Sequence, residues 1–170
     1  MLVRPATLED VHTYVAFCQS AQARITARGL GQYVPGAHEE YAAAIRSRVE
    51  AGSLFVVSEA TEIVGFFGLE ETPSSWWQAD GIAAMYLAGV VVSPAAKGRG
   101  VGDFIIDWCV ELARQHGCRY LRLDCHAGNP WLHNYYQARG FTFVSRIPMH
   151  PGYEGFLFQR VTSFSALPAV

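Results

Sequence analysis

The residues with the clearest chemical potential run from Val90 to Gly102, Val-Val-Val-Ser-Pro-Ala-Ala-Lys-Gly-Arg-Gly-Val-Gly. An apolar run of strand character enters a proline turn and then meets Gly98, Gly100 and Gly102, with Lys97 and Arg99 set among them. Amphipathic helix follows at once. A strand–turn–helix junction of this kind suits an anionic ligand, because the first helical N–H groups have no intrahelical partner and the helix dipole is positive there. Glycine lets a phosphate approach the backbone and permits φ > 0 where the turn needs it. Lys97 and Arg99 can add charge-assisted hydrogen bonds, each about 1.5–3 kcal/mol when well formed. The plainer alternative is a solvated turn whose glycines only end a strand.

The glycine spacing narrows the ligand. A dinucleotide fingerprint needs a third glycine where Asp103 stands, and no glycine is followed by the lysine–hydroxyl pair of a nucleotide P-loop. Residues 97–102 instead resemble the Q/R-x-x-G-x-G/A signature of the GNAT superfamily of N-acetyltransferases, with Lys97 in place of the usual Gln or Arg. Asn129-Pro130-Trp131-Leu132-His133-Asn134-Tyr135-Tyr136-Gln137-Ala138-Arg139-Gly140-Phe141 is similar to that family's later motif, in which an Asn opens a helix, a Tyr follows and Gly-Phe starts the next strand. Asn129 before Pro130 is also a good helix start on physical grounds, and Gly140 a good stop.

These segments must be positioned by the rest of the chain. At 170 residues it can bury a real core, expected over residues 1–161 as a single domain with 162–170 as a C-terminal tail. Half of the residues are apolar and 16% charged, which excludes a mainly disordered chain. A net charge of −2 gives no support to nucleic-acid binding. The N-terminus lacks a signal-peptide core, and the longest apolar run, Ile82 to Val92, is too short to cross a bilayer as a helix. Cys18, Cys109, Cys118 and Cys125 show no C-x-x-C pairing, and the six histidines no H-x-x-x-H pattern. Reduced thiols, no metal and a cytoplasmic setting are the expectation.

The pattern predicts a strand at Leu2–Arg4 and a helix from the Thr7/Asp10 capping pair to about Arg28, stopped by Gly29. A second helix is expected over His38–Glu50, and a hairpin from Leu54–Ser58 and Ile63–Leu69 turning at Ala60-Thr61. A strand at Ala83–Val92, a helix at Val101–His116, a strand at Arg119–Cys125 and a helix at Pro130–Arg139 follow. Strands at Phe141–Arg146 and Gly155–Val161 complete the domain. The fold class is therefore α/β (α+β), a sheet flanked by helices. The resemblance implies a mixed, mainly antiparallel sheet with a splayed strand pair forming a slot for acetyl-CoA.

Acetyl transfer from a thioester requires a neutral amine, a stabilised oxyanion and a donor to the departing thiolate. By resemblance, the backbone of Gly89, Val90, Val91 and Val92 holds pantetheine as an added strand, and residues 97–102 (Lys97, Gly98, Arg99, Gly100, Val101 and Gly102) hold the pyrophosphate. Tyr136 aligns with the tyrosine proposed to protonate the coenzyme A sulfur, and Asn129 with a residue near pantetheine. Either could equally serve structure, as a core tyrosine and a helix cap. The strand before the turn carries no carboxylate or histidine, so the base is sought nearby. Glu70 is chosen over Glu71, Asp80 and His126. Asp103 is expected to point to solvent, away from phosphate. Gln32, Tyr33, Trp76, Trp77 and Tyr153 are the acceptor candidates, although the tryptophans could simply cover core. Together these imply an N-acyltransferase that moves an acetyl group to a primary amine of a small molecule or a peptide, possible as a homodimer. A non-catalytic acyl-CoA-binding module of the same fold is the alternative. A covalent route through Cys125 lacks an activating partner.

Overall fold

A computed structural model describes residues 1–30, 38–71, 75–150 and 152–162. The expected tail therefore lies almost wholly outside the described residues. Strand β1 (Leu2–Pro5) leads into a single 3-10 turn at Leu8–Asp10 and helix α1 (Val11–Thr26). The Asp10 carboxylate accepts from the Thr7 N–H at 2.8 Å and from its hydroxyl at 3.0 Å, so the capping pair forms as the spacing suggests. The same carboxylate takes both ends of the Arg4 guanidinium, at 2.7 and 2.9 Å. Helix α2 (His38–Glu50) precedes a hairpin of β2 (Leu54–Glu59) and β3 (Glu62–Glu70). Ala60, at the hairpin's tip, takes φ +52°.

Strand β4 (Ala84–Val92) runs into a 3-10 turn at Pro94–Ala96 and then helix α3 (Val101–Gln115). Strand β5 (Tyr120–His126), helix α4 (Pro130–Gln137), and strands β6 (Thr142–His150) and β7 (Tyr153–Val161) follow. The seven strands lie in the order β1-β2-β3-β4-β5-β7-β6, with β4 and β5 parallel and β1-β2, β2-β3, β5-β7 and β6-β7 antiparallel. Several boundaries depart from expectation. Helix α1 ends at Thr26 and β7 starts at Tyr153. Strand β6 continues past Arg146 through Pro148, which the sheet tolerates because β6 is an edge strand with register shifts at Phe143/Ser145 and Pro148/His150. Helix α4 ends at Gln137, and residues 138–140 form its closing turn, in which Gly140 takes φ +80°.

The chain forms two compact units, Met1–Leu69 with Ala88–Ile105, and Glu70–Leu87 with Ile106–Val170. The core of the first gathers Tyr14, Leu54, Val56, Phe66 and Val91, with Tyr14 and Phe17 packed edge-on against Phe66. In the second, Trp77, Ala84, Tyr86 and Leu157 cluster around a buried cation. That cation is Arg122, 2% exposed, whose guanidinium lies 4.7 Å from the Trp77 ring and donates to the Tyr86 hydroxyl oxygen at 3.2 Å. It also pairs with Asp80, across 42 residues of chain. A buried charge needs such a full set of partners. Among the described residues, no helix is long and apolar enough to cross a membrane.

Candidate active site

In the first unit, β3 and the end of β4 carry the start of α3. Gly65 on β3 makes the close approach possible. A Cβ there would lie 3.1 Å from Val101 Cγ1 and 3.2 Å from the Val91 carbonyl. Val101 and Ile105 are consequently buried against the sheet. The first bond of the helix ladder runs from the Phe104 N–H to the Gly100 carbonyl at 3.0 Å, so the Val101 and Gly102 amides precede the ladder. Gly98 and Gly100 take φ +79° and +77°, and a Cβ on either would meet nothing within 4 Å. Backbone conformation requires these glycines; protein packing does not. The space that their missing side chains leave is open to a ligand. Lys97 and Asp103 are both exposed. Arg99 is engaged: its guanidinium pairs with the Glu59 carboxylate of β2.

Upstream of this turn, β4 changes character at Gly89. Its ladder to β5 covers Ala84–Leu87, paired with Tyr120–Leu123, and is not continued by residues 88–92. Gly89 takes φ +58°, and Gly89 and Val90 are exposed between buried Leu87 and buried Val91. The Tyr14 hydroxyl donates to the Gly89 carbonyl at 3.1 Å, and a Cβ at residue 89 would stand 2.7 Å from that hydroxyl oxygen. This is a left-handed kink held from α1. The result is a strand end whose backbone can take an added partner.

In the second unit, Tyr136 lies on α4 among Tyr135, Phe141 and Phe158, with ring centroids 5.4, 5.6 and 6.2 Å away. It is 9% exposed and its hydroxyl makes no hydrogen bond among the described residues. Burial pushes its pKa up, and the Cys125 and Asp124 groups on β5 add to the rise. The phenol therefore holds its proton. Asp124 is a carboxylate that the sequence reading did not single out. Burial pushes the Cys125 thiol up to about 12, which removes thiolate chemistry at neutral pH. Asn129 is 5% exposed and caps α4, its side-chain oxygen accepting from the Leu132 N–H at 3.4 Å.

A sequence model of the Acetyltransferase (GNAT) family matches residues 23–141. The chain belongs to that family. Over 145 residues it is 26% identical to YesJ, an uncharacterized N-acetyltransferase of Bacillus subtilis, covering 82% of this chain and 81% of that protein. Its fold is similar to that of a GNAT-family acetyltransferase of Streptococcus agalactiae, at a TM-score of 0.80 and 15% identity over 94% of both chains. It is similar also to the yncA protein of Salmonella typhimurium, solved with its cofactor acetyl-CoA, at a TM-score of 0.65 and 18% identity over 99% of this chain and 97% of that one.

Within the GNAT frame the base and acceptor candidates fall in different places. Glu70 closes β3 and is half-buried, while Glu71 is exposed. Asp80 is held below the usual carboxylate range by Arg122, and that ion pair commits it to structure. Trp77 is 8% exposed, with the Arg122 cation over its ring. Trp76 and Tyr153 are half-buried, and Tyr153 stacks on His126 at 4.6 Å. Gln32 and Tyr33 lie outside the described residues.

Proposed function

We propose that this GNAT-family protein is an acetyl-CoA-dependent N-acetyltransferase that acetylates a primary amine by direct attack in a ternary complex. The glycine turn carries the reading. Left-handed Gly98 and Gly100 with open Cβ positions, the Val101 and Gly102 amides and the exposed Lys97 fit a pyrophosphate at the start of α3. The backbone of Val90, Val91 and Val92, beyond the Gly89 kink, is suited to pantetheine. Bound acetyl-CoA would supply the acetyl group as a thioester.

The chain's own groups then have defined tasks. Tyr136 Oη keeps its proton, a state the nearby Asp124 favours, and donates it in a hydrogen bond to the departing sulfur as charge develops there. Asn129 fixes the first turn of the helix that carries Tyr136. Glu70 accepts the amine proton, through a water. Arg99 exchanges Glu59 for phosphate when the coenzyme arrives, since an exposed ion pair is worth only about 0–1 kcal/mol. Trp76 and Tyr153 offer surface to a small-molecule or peptide amine.

The test is a thiol-release screen over a panel of amines, with a Tyr136→Phe variant. The expected result is release with at least one amine, lowered about 100-fold in the variant while coenzyme A affinity stays within twofold. Tight coenzyme binding with no release from any amine would favour a non-catalytic acyl-CoA-binding module.

A further inference from the structure

His126, the last residue of β5, carries a buried nitrogen without a partner. Its Nδ1 is the one side-chain N or O atom among the described residues that is buried and makes no hydrogen bond. The ring lies against Tyr153, with interplanar angle 26°, and the backbone carbonyl is occupied by the Asn129 N–H at 3.1 Å and by His133 Nε2 at 3.0 Å. Two residues on stands Gly128. Its φ is not in the left-handed region, yet a Cβ there would lie 2.7 Å from His126 Nε2 and 3.3 Å from Cδ2 and Cε1. A side chain at 128 would crowd the imidazole rather than strain the backbone. Gly128 is exposed and His126 half-buried, so no side chain from residue 128 lies across the Nε2 edge of the ring.

The two nitrogens therefore sit in unlike settings. A ring with its hydrogen on Nδ1 would bury an N–H with no acceptor, which is costly. A neutral ring with its hydrogen on Nε2 leaves only a lone pair unpaired at Nδ1 and turns a donor toward the open edge. Ligands of open α/β sheets bind beyond the carboxyl ends of the strands, and His126 stands at that end of the strand parallel to β4.

We propose that the His126 ring takes the Nε2–H tautomer and donates that hydrogen to an oxygen of the acceptor, selecting amines with a carbonyl, carboxylate or phosphate oxygen beside the reacting nitrogen. The proposal rests on the acetyltransferase reading for its substrate, but not for its tautomer. The charged and titratable neighbours are Asp124 on β5, His133 on α4, Tyr153, and Glu154, which is paired with Arg146. Glu154 is engaged by that cation, and its backbone carbonyl takes the Ala127 N–H.

Nitrogen-15 spectra of the uniformly labelled full chain read the tautomer directly. A protonated Nε2 and bare Nδ1 are expected, and an Nδ1–H signal for His126 overturns the proposal whether or not the protein binds acetyl-CoA. With an amine found in the screen, His126→Leu should raise the acceptor KM about tenfold, and His126→Gln, which keeps an N–H, should restore most of it. Acetyl-CoA affinity and kcat should stay within about threefold. An unchanged KM in His126→Leu rejects the proposal and leaves the acetyltransferase reading standing. Absence of acetyl-CoA binding rejects that reading and leaves the tautomer to the spectrum.

Discussion

Replacing Gly89 by alanine tests how the end of β4 is held. The backbone at φ +58° costs an L-residue about 1–2 kcal/mol. The new Cβ would stand 2.7 Å from the Tyr14 hydroxyl oxygen, and Tyr14 is 1% exposed and packed edge-on against Phe66, so it cannot swing aside cheaply. Displacing it breaks its bond to the Gly89 carbonyl, a further loss of about 1 kcal/mol. Gly89→Ala should therefore lower stability by about 2–3 kcal/mol. Tyr14→Phe alone should cost about 1 kcal/mol. In the Tyr14→Phe background the obstructing oxygen is gone, Tyr14 Cζ is at an ordinary 3.9 Å, and Arg48 Nη1, 3.2 Å from the new Cβ, is the far end of a flexible side chain that can give way. Gly89→Ala should then cost only the backbone part, giving a coupling of about 1 kcal/mol. Urea unfolding of the four proteins measures it. Additive losses, within about 0.3 kcal/mol, would refute the claim that Tyr14 holds the kink at Gly89.

Gly65→Ala pushes on Val101 Cγ1 and the Val91 carbonyl, so it should destabilise by about 1–3 kcal/mol and weaken acetyl-CoA binding, both measurable on one purified variant. Glu59→Gln frees Arg99, and coenzyme A affinity should rise by up to about fivefold at low salt, a gain that calorimetry at high salt should erase. The Arg4 guanidinium holds the Asp10 carboxyl at about 2. A depressed folded pKa stabilises above the unfolded value near 4 and is lost as pH falls through the folded value. Asp10→Asn should thus cost about 1–3 kcal/mol at neutral pH, and denaturation curves of the two proteins should converge as pH falls from about 4 to 2. Tyr136 is pushed above the ordinary phenol range, so turnover should show no basic limb centred near about 10.

What the sequence made legible was local. Glycine and proline punctuate by backbone geometry, so the turn at 97–102, the Asn129 cap and the Thr7/Asp10 pair could be read from residue types alone, and α2 stands at the residues where its pattern predicts it. Contacts made over long stretches of chain were not legible. Nothing near Gly65 announces that Val101 will need its missing Cβ, and nothing near Trp77 announces the Arg122 cation on its ring. Glu59 and Arg99 lie 40 residues apart, so the cation expected to meet phosphate has a carboxylate that only the fold reveals. Strand β6 runs past the expected end at Arg146 and through Pro148, which an edge strand tolerates.

Calorimetric titration of the folded protein with acetyl-CoA, beside Gly100→Glu, tests the central claim most directly. The variant's Cβ meets no protein atom within 4 Å, so its loss of stability should be limited to about 1–2 kcal/mol of backbone strain. The glycine turn predicts a dissociation constant of about micromolar order for the wild type and no measurable heat for the variant. Equal affinity in the two proteins, or no binding by the wild type, would contradict it.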